Sequence, residues 1–337
     1  MSTNLKISCL PVEMTFEATA GESILAAALR AEVVLPHSCK TGLCGTCRAR
    51  VVDGQVDFDA AKARGLSRHD RDEGHVLLCQ TRAVSDVTLE CNIVEETRNV
   101  PVRRVAARVA GVEALSDDVR RIRLALPEGE TLGFVAGQHM NVVMSGGVRR
   151  CVSLANAPSS GDGWLEMHLR NYGGVLSRYV FESAKDGDLM RMEGPLGTFV
   201  LRNGSDRPLL FVASGTGFSP VKAMIETLIR QRSGRPMALY WGGRRPSDLY
   251  LHELASRWHD EARLIYVPVV SDGLATDAWQ GRTGFVHQAV IDDFDDLSGH
   301  DVYVCGAPAM VEAARREFIG ARGLPSRQFF ADVFQPS

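Results

Sequence analysis

The sequence predicts a multidomain chain with three folded parts in series. The first is a small α+β module of the β-grasp kind, the second an antiparallel β-barrel, and the third an α/β module with a doubly wound parallel sheet. Three observations predict this order. The chain opens on two short alternating segments followed by an amphipathic helix pattern. Residues 104–203 are short alternating segments separated by Gly, Pro and Asp, the pattern of an antiparallel barrel. From residue 204 apolar strands alternate with helical segments, which indicates a parallel sheet covered by helices. With 337 residues, the chain is too long for one ordinary core.

In the first part, LKISCL and MTFEAT alternate as a strand pair, and ESILAAALRAE is a helix with Ile24, Leu25, Ala28 and Leu29 on one face. RARVVDGQVDF reads as a hairpin about an Asp-Gly turn, and VTLECNIV as a closing strand. The polar, basic stretch EETRNVPVRR is a linker, with Pro101 favouring extended backbone just before it. In the third part, RPLLFVAS, MALYWGG, RLIYVPVV and HDVYVCG are strands. VKAMIETLIRQR, LYLHELASRWHDE and MVEAARREFIGARG are helices. The expected bounds are 1–95, a linker over 96–103, then 104–203 and 204–337.

The most informative residues are Cys39, Cys44, Cys47 and Cys79, spaced C-x4-C-x2-C with a single distant cysteine. That is the ligand spacing of a plant-type [2Fe–2S] ferredoxin. Structural zinc sites use paired C-x2-C or Cys/His sets, and no second pair exists here. Gly42 and Gly45 let the loop wrap tightly and aim backbone N–H groups at sulfur. The other four cysteines, Cys9, Cys91, Cys151 and Cys305, lie in strand-like apolar contexts and are expected as free, small apolar residues. A net charge of −3 argues against a nucleic-acid partner. The acid excess is confined to residues 1–95, with ten Lys and Arg against thirteen Asp and Glu. No apolar run approaches a membrane span. The N-terminal residues lack a basic start before a long apolar core, so a cytoplasmic location is expected.

PHSCKTGLCGTCRARVVDGQV and HVLLCQTRAVSDVTLE, followed by RCVSLANAP, MEGPLGTF, ASGTGFSPVKAM and VYVCGAPAMVEAARREF, resemble bacterial flavin-dependent iron–sulfur NADH reductases over almost the whole chain. Two subgroups share this layout: reductase components of aromatic-ring oxygenases and CDP-deoxyglucoseen reductases. The resemblance implies an N-terminal ferredoxin domain, an FAD domain and a nicotinamide domain. It places Arg150 on the flavin pyrophosphate and Ser153 near flavin N5; Val152 stands where the family has tyrosine. Gly173, Gly174 and Ser177, after the H-x-R of His168 and Arg170, match a second flavin element, although the link from Arg170 is one residue shorter than in the family. Gly215, Thr216 and Gly217 form a glycine turn that opens a helix, suited to a pyrophosphate, with Pro220 where the usual fingerprint has its third glycine. Cys305 and Gly306 close a strand at the position beside the nicotinamide, and in the tail Asp332 and Phe334 match positions near the flavin ring. Phe329 and Phe330 belong to the core.

The cofactors implied are a [2Fe–2S] cluster, FAD and NADH. NADPH stays open, because Arg244, Arg245 and Ser247 offer groups for a 2′-phosphate, while Asp248 either caps the next helix or disfavours that phosphate. NADH delivers a hydride and the cluster accepts one electron at a time; a flavin does both, which orders the three modules. The partner expected is the terminal component of an oxygenase, docking near the cluster through Lys40, Leu43, Thr46 and Arg48. The alternative is a CDP-deoxysugar dehydratase, to which GRTGFVHQAV and FFADVFQPS are rather close. A passive iron–sulfur carrier with a degenerate flavin site is a third reading.

Overall fold

The computed structural model describes residues 4–11, 14–91, 94–158, 163–262 and 264–334. The chain divides into two compact units. One comprises residues 1–98 with Ala331–Val333, and the other residues 99–330 with 334–337.

The first unit contains β1 (Leu5–Leu10), β2 (Met14–Ala18), α1 (Ile24–Arg30), β3 (Arg48–Asp53), β4 (Val56–Phe58), α2 (Arg68–Asp72), β5 (His75–Leu77), β6 (Thr81–Ala83) and β7 (Val87–Cys91). Its main sheet has the order β2-β1-β7-β3-β5. β1 and β2 pair antiparallel as their alternation predicts, and β7 joins β1 in parallel. Helix α1 starts at Ser23, whose hydroxyl accepts from the Ala26 N–H, satisfying one orphan donor of the first turn. Its buried face is Ile24, Leu25, Ala27 and Ala28; Leu29 only packs against that core from its edge.

The expected hairpin at Asp53–Gly54 does not form. β3 pairs with β5 and β7, whereas β4 pairs with β6 in a separate two-stranded sheet. Gly54 does turn the chain, at φ +94°, but a Cβ there would lie 2.1 Å from the Asp86 carbonyl. The turn is therefore pressed against the Asp86 backbone, and the two strands separate rather than return on each other. The stretch expected as an extended linker includes a 3₁₀ turn at Glu95–Thr97.

The second unit holds two sheets. The first is antiparallel and is built from β8 (Arg103–Ala114), β9 (Val119–Ala125), β10 (His139–Val143), β11 (Arg149–Ser153), β12 (Trp164–Arg170) and β13 (Leu189–Leu196), with the four-residue helix α3 (Val175–Arg178) after β12. The order is β11-β10-β13-β8-β9-β12, and a bridge from Leu154 to Met167 links the segments at its two ends. Val105, Ala107, Ile122, Leu124, Met140 and Met192 fill its core. Cys151 departs from expectation. It alternates with buried Val152 and is therefore exposed, whereas Cys9, Cys91 and Cys305 are buried.

The second sheet carries β14 (Leu209–Ser214), α4 (Phe218–Arg230), β15 (Met237–Gly243), α5 (His252–Ala262), β16 (Leu264–Val270), β17 (Arg282–Thr283), α6 (Val286–Asp293), β18 (Asp301–Gly306), α7 (Pro308–Ala321) and β19 (Phe329–Val333). The order is β17-β16-β15-β14-β18-β19, and the pairings from β17 to β18 are parallel. β14 and β18 are buried almost throughout, as strands covered on both faces must be. The chain leaves β14 to build one side of the sheet and returns for β18 on the other. The crevice between their carboxyl ends is where such sheets bind ligands.

Candidate functional site

In the first unit, the loop from Leu35 to Cys47 brings three cysteines together and Cys79 arrives at the end of β5. The thiols form two facing pairs, Cys39 with Cys44 and Cys47 with Cys79. Among the described residues no three His, Cys, Asp or Glu side chains converge as ligands of a single metal ion. Two thiol pairs are the four-cysteine donor set that would hold a [2Fe–2S] cluster. The N–H groups of Thr41, Leu43 and Cys44 lie 3.4, 3.3 and 3.3 Å from Cys39 Sγ. With the Cys44 thiol, which contributes most, these donors outweigh burial and hold Cys39 down to about 4, in the range of a ready thiolate ligand. Gly42 is required by this wrap: its φ is +82° and a Cβ would meet the Lys62 carbonyl at 2.2 Å. His37 is buried, its Nδ1 lies 2.8 Å from the Leu35 carbonyl, and burial lowers its pKa, so it serves the loop's backbone.

Of the four docking candidates, Lys40 is exposed, while Leu43 and Thr46 are partly covered. Arg48 is turned inward into an ion pair with buried Asp70. Asp332 clusters with this unit. Its Oδ1 lies 2.5 Å from Ser38 Oγ, and Thr46 Oγ1 donates to the Ala331 carbonyl at 3.1 Å. Burial raises the Asp332 pKa.

In the second unit, Arg150 and Ser153 lie on β11, with Ser153 opposite His139 on β10. Ser153 and Val152 are buried, and Val152 belongs to the sheet's apolar core. Arg150 donates through Nη1 to the Arg149 carbonyl at 3.0 Å, while its Nε is buried without a partner. A buried, unsatisfied guanidinium nitrogen fits an anionic group such as a pyrophosphate oxygen. Gly173 has a φ of +73° with open space around its Cβ position, and its N–H is bonded to Asn171 Oδ1 at 3.1 Å. Gly174 caps α3 without a side-chain cap. Ser177 is buried and donates to the Gly174 carbonyl at 3.0 Å, so its hydroxyl holds the helix start.

A cavity of about 510 Å³ opens at the carboxyl ends of β14 and β18. It brings together Gly215, Thr216, Gly306 and Phe334, all singled out from the sequence, with Arg244 and Asp248. The close approach of its walls explains two glycines. A Cβ on Gly217 would meet the Cys305 carbonyl at 2.3 Å, and one on Gly306 would meet Ser214 Oγ at 2.1 Å. Gly217 shapes the cavity from behind rather than lining it. The Phe334 N–H donates to the Gly306 carbonyl at 2.9 Å. Cys305 is fully buried among the core residues behind the cavity and is not part of its lining.

The loop after β15 departs from one of its sequence readings. Asp248 does not cap α5. It accepts from the N–H groups of Arg244 and Arg245 at 2.8 and 3.0 Å and binds Arg170 Nη2 at 2.6 Å. Arg170 is also 3.0 Å from Asp118, so it ties the two sheets of this unit together at the cavity wall. Arg245 pairs with Asp277 at 3.2 Å, which leaves Arg244 as the exposed arginine on the cavity.

Sequence reasoning missed Phe285 and His287, which line the cavity from the start of α6. It also missed a buried charged group formed by Glu166, His168 and Lys222. Phe285 was visible only within the segment GRTGFVHQAV. The charged group joins positions 166 and 168 to 222, too far apart for any local pattern.

Three known domain families match successive parts of the chain. The 2Fe-2S iron-sulfur cluster binding domain matches residues 7–84, the oxidoreductase FAD-binding domain 106–201, and the oxidoreductase NAD-binding domain 211–316. The chain is 38% identical over 339 residues to the CDP-6-deoxy-L-threo-D-glycero-4-hexulose-3-dehydrase reductase of Yersinia pestis, covering 100% of both proteins. It is 33% identical to reductase component 1 of the terephthalate 1,2-dioxygenase of a Comamonas species, over 96% of each. Among solved structures, the Amycolatopsis cytochrome P450 reductase GcoB superposes with a TM-score of 0.73 at 33% identity, over 99% of this chain and 100% of that one. No helix among the described residues is long and apolar enough to cross a membrane.

Proposed function

Since the chain belongs to the iron–sulfur flavoprotein reductases that include CDP-hexulose dehydrase reductases and oxygenase reductase components, we propose that it carries electrons from NADH through FAD and a [2Fe–2S] cluster to a partner protein. The observation that carries this reading is the presence, in one chain, of two facing thiol pairs and a glycine-walled cavity at the carboxyl ends of parallel strands.

What bound FAD supplies is the exchange of a hydride for single electrons. The chain's own residues do the rest. Arg150 neutralises the flavin pyrophosphate through its free Nε, and the backbone N–H of Gly174 and the start of α3 add to that charge. Ser153 presents its hydroxyl toward the flavin ring. Gly215, Thr216 and Gly217 hold the dinucleotide pyrophosphate at the start of α4, with Gly306 and Phe334 on the opposite wall and Cys305 supporting that wall from behind. Asp332 acts through Ser38, next to Cys39. In this reading the antiparallel sheet, bridged at Leu154–Met167, is a closed barrel, and the parallel sheet is doubly wound. The domains run over 1–95, 104–203 and 204–337, with a linker at 96–103.

The acceptor docks on the exposed side of the cluster loop around Lys40. Full-length identity of 38% against 33% favours a CDP-hexulose dehydrase over an oxygenase component, and a cytoplasmic setting suits either. The purified protein is expected to contain FAD with iron and sulfide, and NADH bleaches both chromophores. Iron–sulfur absorbance without flavin would instead mark a passive carrier. Cytochrome c reduction, followed by reconstitution with each partner class, then identifies the acceptor.

A further inference from the structure

The second unit buries Glu166, His168 and Lys222 almost completely. Glu166 Oε1 lies 2.8 Å from His168 Nε2 and 3.1 Å from Lys222 Nζ; Lys222 also reaches Glu226 at 2.8 Å and the Ala155 carbonyl at 3.0 Å. Arg121 Nε is 3.6 Å from Glu166. Buried ionic groups are often less stabilising than apolar residues of similar size. Their presence here calls for a role in setting geometry.

The protonation states give the group a direction. Burial pushes Glu166 up, but the His168 hydrogen bond and the Lys222 and Arg121 charges together hold it well below the usual carboxylate range. Burial lowers the His168 pKa despite the carboxylate beside it, so the ring is neutral. An ionised Glu166 only accepts, which puts the proton of His168 on Nε2. Nδ1 then accepts, and its partner is the Tyr250 hydroxyl at 3.0 Å. Tyr250 meets Trp241 edge-on, ring centroids 5.2 Å apart. Trp241 stacks on Phe218 at 3.8 Å, and its Nε1–H donates to the Gly215 carbonyl at 3.1 Å. One contiguous set of contacts thus runs from β12 of the antiparallel sheet to the glycine turn after β14.

We propose that His168 is a positioning residue: through Tyr250 and Trp241 it fixes the Gly215–Gly217 turn relative to the sheet that carries Arg150 and Ser153. The inference rests on the reading of that turn as the dinucleotide site. It assigns the histidine of H-L-R to geometry on the nicotinamide side rather than to flavin phosphate.

The test is a double-mutant cycle of Tyr250→Phe and His168→Leu, read by calorimetric binding of ADP-ribose and by melting temperature. Tyr250→Phe keeps the ring packing and removes only the hydroxyl that faces His168. Loss of that buried hydrogen bond is expected to weaken ADP-ribose binding about 5- to 30-fold. The two single losses should not add, because both break the same link. Unchanged affinity in Tyr250→Phe overturns the inference, as does an additive cycle or a fall in melting temperature with affinity intact. If His168→Leu fails to fold, Tyr250→Phe decides alone. Failure of the parent reading is separate: wild-type protein would not bind ADP-ribose, or Gly217→Ala would bind it as well as wild type.

Discussion

The cluster loop and the dinucleotide cavity are both glycine-shaped pockets, yet they are built in opposite ways. In the cluster loop, three of four ligands fall within nine residues, and the N–H groups on Cys39 Sγ come from the next five. In the cavity, the lining comes from seven separated segments around residues 170, 215, 243, 271, 285, 306 and 334. A site held by covalent neighbours depends on each ligand and little on the rest of the fold. An assembled site divides its work among many residues and depends on how sheets and helices meet.

That contrast predicts effects of very different size. Cys79→Ser should remove the cluster altogether, because it breaks one thiol pair, while NADH still reduces the flavin; absorption and paramagnetic resonance of the dithionite-reduced protein measure it. A full cluster spectrum would disprove the ligand set. In the cavity, Gly217→Ala drives a Cβ toward the Cys305 carbonyl. Overpacking of about 1–3 kcal/mol should weaken NADH binding roughly 5- to 150-fold with the cluster intact, as nucleotide titration would show. The matching change in the other loop, Gly42→Ala, adds left-handed strain of about 1–2 kcal/mol and a contact with Lys62. It should shorten the lifetime of the bound cluster roughly tenfold and leave nucleotide affinity unchanged. If Gly42→Ala also weakened NADH, the two sites would not be independent. Smallest of all, Arg244→Ala should change kcat/KM for NADH less than about twofold, as expected of an exposed side chain. A large loss, together with a preference for NADPH, would assign Arg244 to a 2′-phosphate.

The same contrast explains what the sequence revealed. Cysteine spacing is a local signal, so the cluster ligands were legible from residues 39–47 and 79 alone. The glycines at 217 and 306 were legible because close approach of neighbouring strands admits no side chain, and Gly215 because its φ of +52° is the left-handed conformation that glycine favours. Alternation found β3 and β4 but could not supply their partners, which lie up to about forty residues away; the Asp-Gly turn therefore read as a hairpin. Arg170 read only as part of an H-x-R motif, because its partners, Asp118 and Asp248, are remote in sequence. Cys305 was found by its place at a strand end, but its burial behind the cavity depends on how α4 packs over β18. The Glu166–His168–Tyr250 link had no sequence signal, since its members meet only when the two sheets of the second unit do.

Asp248 has a consequence for how this protein can change over generations. One carboxylate receives the N–H groups of Arg244 and Arg245 and the guanidinium of Arg170, on the wall where a dinucleotide's ribose would lie. A lineage acquiring a taste for the phosphorylated coenzyme would gain from losing that negative charge. The same loss would leave Arg170 with Asp118 as its only carboxylate partner, release the loop after β15 and loosen one tie between the sheets. The adaptive step therefore carries a structural cost, and coenzyme preference becomes a trait tied to the scaffold.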